Sequence, residues 1–260
     1  MQTLIQHGWV LWRATVLQVR ETARVKTALV ISVIQPVVFL TVASQRGSSA
    51  DPRRTTEIAL GCVMLALWSS TVWGAGTLLR REATQGTLAA LLVRPASLLA
   101  ILMGKTLGIA ATGLVRALAA VAIAVPVLGL RVDVPDPAAA AVIAVAALVS
   151  AAAMGLLLCC VVFLSRAGLR IIEALGYPVF VLGGLVIPLD MLPVGLRRPA
   201  QVITLHHVTG MVHDAAYGGM PTLVHLAGFA LLTALYLAGG VWAFDVVLRR
   251  GRARGTLELA

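Results

Sequence analysis

The stretch over residues 137–165, PAAAAVIAVAALVSAAAMGLLLCCVVFLS, contains no charged residue. A helix needs about 20 mainly apolar residues to cross the hydrocarbon core of a membrane, so this stretch is long enough to span it. The rest of the chain is similarly apolar: 59% of its 260 residues are hydrophobic and only 12% are charged, against about 25% charged in soluble domains. Its mean hydropathy is +0.93. The sequence therefore predicts an all-α integral membrane protein.

Charge-poor windows of spanning length occur six times along the chain. They cover residues 27–45, 58–79, 106–130, 137–165 and 171–189, and the last lies within 215–248. We predict one transmembrane domain over residues 1–260, made of an interfacial helix (1–26), a six-span bundle (27–248) and a tail (249–260). An even number of spans places both termini on the same side of the membrane.

Lys and Arg are distributed unequally between the two sides that six spans define. Four precede the first span, four follow the second, two follow the fourth and four follow the sixth, whereas the opposite loops together hold six. Because cytoplasmic loops carry the excess of basic residues, both termini are predicted to be cytoplasmic. The basic residues form short clusters with few aromatic residues among them, which argues against a nucleic-acid partner.

The segment before the first span is predicted to be an amphipathic helix. Residues 4–25 mix apolar side chains with three arginines, and Trp9 and Trp12 suit the headgroup level of the lipid bilayer. An ordinary flexible tail is the alternative.

Residues 190–219 form a second irregular segment, which prolines at 188, 193 and 199 divide into pieces too short to span. Such backbone is tolerated at membrane depth only where protein covers it or where it lines a wet cavity. We predict a re-entrant helical hairpin on the outer side, with a surface loop as the alternative. The residues predicted to form its outer gate are Leu192, Leu196, Ile203, Leu205, His206 and His207.

The sequence lacks the common signatures of catalysis. It contains neither the H-E-x-x-H zinc helix nor the G-x-S-x-G nucleophile turn. Gly104, Lys105 and Thr106 imitate the end of a phosphate-binding loop, but Leu99 stands where that loop needs its leading glycine. We therefore predict that Lys105 is an anchor at the membrane edge, and that the chain is neither an enzyme nor a nucleotide-binding subunit.

Histidines in the outer segment are candidate metal ligands. His206, His207, His213 and Asp214 lie close together in the sequence, and imidazole and carboxylate groups both bind zinc. We predict that they are wet side chains at the membrane interface that hold no metal; a metal site is the alternative.

Arg116 is the one charged residue near the middle of a predicted span. A charge at that depth is expected to face the bundle or a wet cavity rather than lipid. Glu173 and Asp245 are the acidic residues in neighbouring spans that it could meet. An ion pair and a substrate contact are both open as its role.

Four segments carry motifs in a characteristic order. They read IQPVVFL (34–40), REATQGTLAALLVRP (81–95), GGLVIPLDMLP (183–193) and ITLHHVTGMVHDAAYGG (203–219). Together they resemble the ABC-2 type transporter permeases, the membrane subunits of ATP-binding-cassette exporters, over nearly the whole chain. Ala89 departs from the family, in which an acidic residue often follows the G-T-L of the second motif.

The resemblance implies a complex in which the work is divided between subunits. Two permease halves would pair as a homodimer or a heterodimer, and two copies of an ABC ATPase would dock beneath them. ATP and Mg would be bound by the ATPase, and this chain would hold no cofactor. The implied activity is export of a drug, an antibiotic or another amphipathic substrate across a bacterial cell membrane. Lipid or polysaccharide export and, in a different class, ATP-independent secondary transport are the alternatives.

The resemblance also implies that residues 81–95 form a cytoplasmic coupling helix between the second and third spans. Its leucines recur at i, i+3 and i+4 and would fit a groove of the ATPase. Its charged residues would form ion pairs at the groove rim, its glycine would permit close approach or a bend, and its proline would end the helix. The predicted coupling residues are Arg81, Glu82, Gly86, Thr87, Leu88, Leu91, Leu92, Arg94 and Pro95. An amphipathic loop resting on lipid headgroups is the alternative.

Overall fold

A computed structural model describes residues 2–24, 26–44, 52–88, 98–168, 170–174, 201–217, 219 and 222–254. The main helices in these ranges are α1 (Gln2–Ala23), α2 (Lys26–Ser44), α3 (Pro52–Ser70), α4 (Leu78–Thr84), α5 (Leu98–Val127), α6 (Pro137–Leu164), α7 (Thr204–Ala216) and α8 (Leu223–Arg254). A π-helical turn over Thr71–Ala75 lies between α3 and α4. The prediction of an all-α protein is confirmed for the described residues.

Four helical stretches among the described residues are long and apolar enough to cross a membrane. They are Pro52–Thr84, Leu98–Val127, Pro137–Leu164 and Leu223–Arg250, and they match the second, third, fourth and sixth predicted windows. Helix α2 coincides with the first window, but its described apolar part, Val33–Val42, is shorter than a span. Most of the fifth window lies outside the described residues. The count of six spans therefore stays a prediction.

The connection between α5 and α6 is fixed by a cap at each end. Gly129 has φ +66°, and its amide and that of the next residue donate to carbonyls in the last turn of α5 over 3.1 and 3.0 Å. Asp136 then begins α6 by accepting from the amides of Ala138 and Ala139 over 3.0 and 2.9 Å. Glycine suits the left-handed end of a helix and aspartate its first turn, so the sequence itself sets this short connection.

Helices α3 and α4 run antiparallel to α5 and are joined to its end regions. At one end, the Thr56 hydroxyl oxygen accepts from the Asp133 amide over 2.9 Å. At the other, the Lys105 ammonium group donates to the Glu82 carboxylate. We name the two ends of the bundle the Thr56 end and the Glu82 end after these contacts.

Helix α5 is central, because α1, α2, α3 and α6 all pack against it. Helix α1 runs along α5 in the same direction, as three successive contacts show: Leu11 with Gly104, Gln18 with Gly108, and Thr22 with Arg116.

Gly104 and Gly108 of α5 permit this close packing of α1. A Cβ at position 108 would lie 2.8 Å from both the Thr15 carbonyl oxygen and the Gln18 Cβ, closer than side chains tolerate. The other side of α1 exposes Trp9 and Trp12. The predicted interfacial helix thus has one side covered by α5, and its place in the membrane interface stays a prediction.

Helix α7 packs against α3, α6 and α8. Near its beginning, Leu205 shares a cleft with Trp68 of α3, and near its end His213 lies 2.9 Å from the Glu57 carboxylate. Helix α7 therefore runs antiparallel to α3 and approaches the Thr56 end. Its 13 residues cover about 20 Å, too short to cross a membrane. Residues 175–200 lie outside the described residues, so the re-entrant hairpin stays a prediction.

Candidate functional site

A buried ion pair lies at the Glu82 end of the bundle. The Lys105 Nζ donates to Glu82 Oε1 over 2.5 Å, and the Thr87 hydroxyl donates to Oε2 over 2.6 Å. Only 3% of the Glu82 surface and 8% of the Lys105 surface are exposed. Both carboxylate oxygens have partners, so the charge is compensated where water is largely excluded.

This ion pair corrects two predictions from the sequence. Lys105 is not an anchor at the membrane edge, and Glu82 does not provide an ion pair at the rim of a partner's groove. The reason is that the second span continues through α4 beyond the predicted window, and its last turn places Glu82 against α5.

The backbone bends at Gly86, four residues after Glu82. Helix α4 ends at Thr84, and Gly86 has φ +70°, a conformation that favours glycine. A Cβ at this position would meet no atom within 4 Å, so the conformation, and not a close contact within the chain, accounts for the glycine. The prediction of one continuous coupling helix from Glu82 onward is therefore wrong in its first part.

Leu88 is also placed differently from the prediction. It is 3% exposed and belongs to a buried apolar cluster that includes Leu78, Leu79 and Leu102 of this chain. It is therefore not available to the groove of a partner. The remaining predicted coupling residues beyond it, Leu91, Leu92, Arg94 and Pro95, lie outside the described residues.

Arg81 carries unsatisfied donors beside this cluster. Its Nε and one terminal guanidinium nitrogen are buried, and no hydrogen-bond acceptor reaches them within the described ranges. A buried guanidinium group normally has an acceptor, so Arg81 has unused capacity to bind one.

Arg116 binds the end of α1. Its Nη2 donates to the Thr22 carbonyl oxygen over 2.6 Å. Thr22 lies in the last turn of α1, where carbonyls lack helical partners and carry the negative end of the helix dipole. Glu173 and Asp245 are exposed, and neither forms an ion pair with Arg116 in the part of the chain that the structure describes. Of the two roles left open by the sequence, the ion pair with these acids does not form among the described residues, because the packing of α1 on α5 supplies a nearer acceptor.

Replacing Arg116 with Met should therefore weaken the attachment of α1 to α5. A hydrogen bond from a charged group contributes about 1.5 to 3 kcal/mol, and the Met variant should lose about that much free energy of unfolding. Thermal unfolding of the purified protein in detergent measures the loss. Arg116→Lys, which keeps the positive charge, should lose less. Equal melting temperatures for Arg116→Met and the wild type would rule out this role.

Three histidines meet between α7 and α8. His206 and His207 come from α7 and His225 from α8, and one ring nitrogen of each lies within 4.8 Å of the others. The ring centroids are 5.2 to 6.0 Å apart. Burial, reinforced by the neighbouring imidazoles, lowers the pKa of His206 to about 4, and burial also lowers the pKa of His207. These two rings are therefore neutral near pH 7.

The candidate metal ligands named from the sequence are not the set that the structure brings together. His213 contacts Glu57, and Asp214 accepts from the amide and hydroxyl of Thr222 over 2.9 and 3.0 Å at the start of α8. His225 is not among the candidates named from the sequence, because only the antiparallel packing of α7 and α8 brings it to His206 and His207. The signal that the sequence offered for His225 was its position at the start of the last apolar run.

Comparison with known proteins agrees with the helical architecture. The ABC-2 type transporter family matches residues 5–217, a region that includes nearly all of α1, all of α2 through α7 and the Glu82–Lys105 pair. No curated protein sequence matches the chain. The match covers most of the chain, and four described helices have the length and composition of membrane spans. The protein belongs to the ABC-2 type transporter family of membrane permeases.

Proposed function

We propose that this chain is the permease of an ABC exporter, which moves an amphipathic substrate outward with ATP hydrolysed by separate ATPase subunits. The family match carries the proposal, because ABC-2 proteins are the permeases of ABC transporters and generally act with an ABC ATPase. We further propose a bacterial membrane, cytoplasmic termini, two ATPase copies, and a second permease that is a copy of this chain or a sister subunit.

The connection between the helices at the Glu82 end supports the proposal that an ATPase acts there. The segment over residues 85–97 leaves α4 and returns into α5, and the Glu82–Lys105 pair joins these two helices at its base. A partner that moves this segment therefore acts on the second and third spans together. Thr84 and Gln85 are exposed at its start, and the unsatisfied donors of Arg81 would donate to a carboxylate of the ATPase.

The cleft between α3, α6 and α7 supports an amphipathic substrate. Its walls include Met64, Leu67 and Leu205, and it also contains Trp68 and Ser150. The Trp68 Nε1 and Ser150 Oγ atoms are buried and have no partner among the described residues. Apolar walls with a few polar atoms are typical of sites for small amphipathic ligands. The accessible volume of the cleft is about 20 Å³, so a substrate would enter only after the helices around it move apart.

We propose that the outer gate lies along α7, which runs from the level of Trp68 toward the Thr56 end. Of its predicted residues, Leu205 and His207 are buried, and Ile203 and His206 are partly buried. Leu192 and Leu196 lie outside the described residues, so their part in the gate rests on the sequence.

Cysteine labelling tests whether ATP drives the pathway. In membranes that contain the permease and its ATPase, an Ile203→Cys variant should react with an impermeant thiol reagent from the outside, and trapping the ATPase with nucleotide should change the rate. Val134→Cys, an exposed position in the α5–α6 connection, is the control and should react at one rate throughout. A rate at position 203 that responds to a proton gradient and ignores nucleotide would favour a secondary transporter instead.

A further inference from the structure

We propose that His206, His207 and His225 bind one divalent transition-metal ion of the zinc class between α7 and α8. This site lies away from the Glu82 end and does not depend on the proposed transport function. It differs from the candidate ligands named from the sequence, since His213 and Asp214 take no part in it.

The hydrogen bond of His207 prepares that ring to bind a metal. Its Nε2 lies 3.1 Å from the Gln201 carbonyl oxygen. A carbonyl accepts but does not donate, so Nε2 carries the proton and Nδ1 carries the lone pair. Metal-binding histidines commonly donate their other ring nitrogen to a carbonyl in this way. His207 is 7% exposed, and its buried Nδ1 has no partner among the described residues.

The rings of His206 and His225 are also available to bind a metal. The Nδ1 atoms of His206 and His225 are buried, and no hydrogen-bond partner reaches either within the described ranges. Three imidazoles with unsatisfied buried nitrogens are costly if they merely pack together. A cation that accepts their lone pairs removes that cost, and imidazole suits zinc, copper and nickel.

The separation of the rings allows a tetrahedral site after a small adjustment. With Zn–N bonds of about 2.0 to 2.1 Å, the ligand nitrogens of a tetrahedral site lie about 3.4 Å apart. The present separations reach 4.8 Å, so the rings need to approach one another by at most about 1.4 Å. Three protein ligands leave a fourth position for water or another ligand.

Two glycines make the space in which the rings lie. A Cβ at Gly210 of α7 would lie 2.5 Å from Nε2 of His225, and a Cβ at Gly228 of α8 would contact the ring of His207. Each helix thus accommodates a histidine of the other helix against a glycine. A metal held there would join α7, the helix of the proposed gate, to α8 and restrict its movement.

Metal binding by the full-length protein, purified without a histidine tag and stripped with a chelator, tests the proposal. We expect one Zn²⁺ per chain, and Co²⁺ in its place should give the d–d absorption of a tetrahedral nitrogen site. Loss of an outer-shell partner already costs about 10- to 100-fold in metal affinity, so His207→Gln and His225→Gln should each weaken Zn²⁺ binding by at least about 100-fold. Gly228→Ala, which leaves every ligand in place but fills the space of the His207 ring, should also weaken it.

His213→Gln is the matched control, because it removes an imidazole from the same helix outside the cluster. It should bind Zn²⁺ like the wild type. Size-exclusion profiles and melting temperatures in the absence of metal show whether each variant is folded. Absence of saturable binding at one ion per wild-type chain would overturn the proposal. So would unchanged Zn²⁺ affinity in the folded His207→Gln and His225→Gln variants.

Discussion

Replacing Lys105 with Met is expected to lower the free energy of unfolding by about 3 to 5 kcal/mol, because it leaves a buried carboxylate without its cation. Glu82 is only 3% exposed, so water cannot substitute for the lost ammonium group. The loss is measurable by thermal unfolding with a thiol-reactive fluorophore. The chain has three cysteines, Cys62, Cys159 and Cys160, and all are buried and unpaired, so they report the loss of the native fold.

A double variant separates the ion pair from other effects of the substitution. Glu82→Gln combined with Lys105→Met removes both charges, and it should lose about 2 kcal/mol less than the sum of the two single variants. Arg80→Met is the control, since it removes a basic residue near the same end that forms no ion pair within the described ranges. If Lys105→Met melts at the same temperature as Arg80→Met, the pair does not stabilise this end of the bundle.

The membrane helices could be predicted from the sequence because apolar length is a local property of the chain. The predicted window beginning at Pro137 coincides almost residue for residue with α6, since Asp136 and Pro137 mark its start by their own chemistry. The window predicted for the second span was shorter than the observed helical stretch at both ends. Polar residues such as Thr56 and Glu82 ended the apolar pattern, although the helices continue through them.

The roles of the site residues could not be predicted from the sequence, because they depend on contacts between helices that no local pattern encodes. Arg116 and Lys105 both lie on α5, and their partners come from α1 and α4. Their pairing follows from the relative position of packed helices, which the sequence alone did not provide. Leu88 shows the same limit, because its i, i+3, i+4 pattern predicted an exposed stripe whereas its neighbours bury it within the chain.

The second large effect is expected at Leu91, in the proposed coupling segment. With Leu88 buried in the permease, Leu91 and Leu92 are the leucines of the predicted stripe left to contact an ATPase. Burying one leucine contributes roughly 1.5 to 3 kcal/mol, so Leu91→Asp should weaken ATPase binding about 10- to 100-fold. Desolvation of the new carboxylate would weaken it further.

The most direct test of the coupling account is the amount of ATPase retained per permease when Leu91→Asp is purified from membranes in mild detergent. Gln85→Asp introduces the same charge at an exposed position of the same segment and is the matched control. Both variants should reach the membrane in normal amounts, because neither changes a predicted span. We expect Gln85→Asp to retain the ATPase and Leu91→Asp to lose most of it. Full retention by Leu91→Asp, at a concentration near the wild-type Kd, would contradict the account.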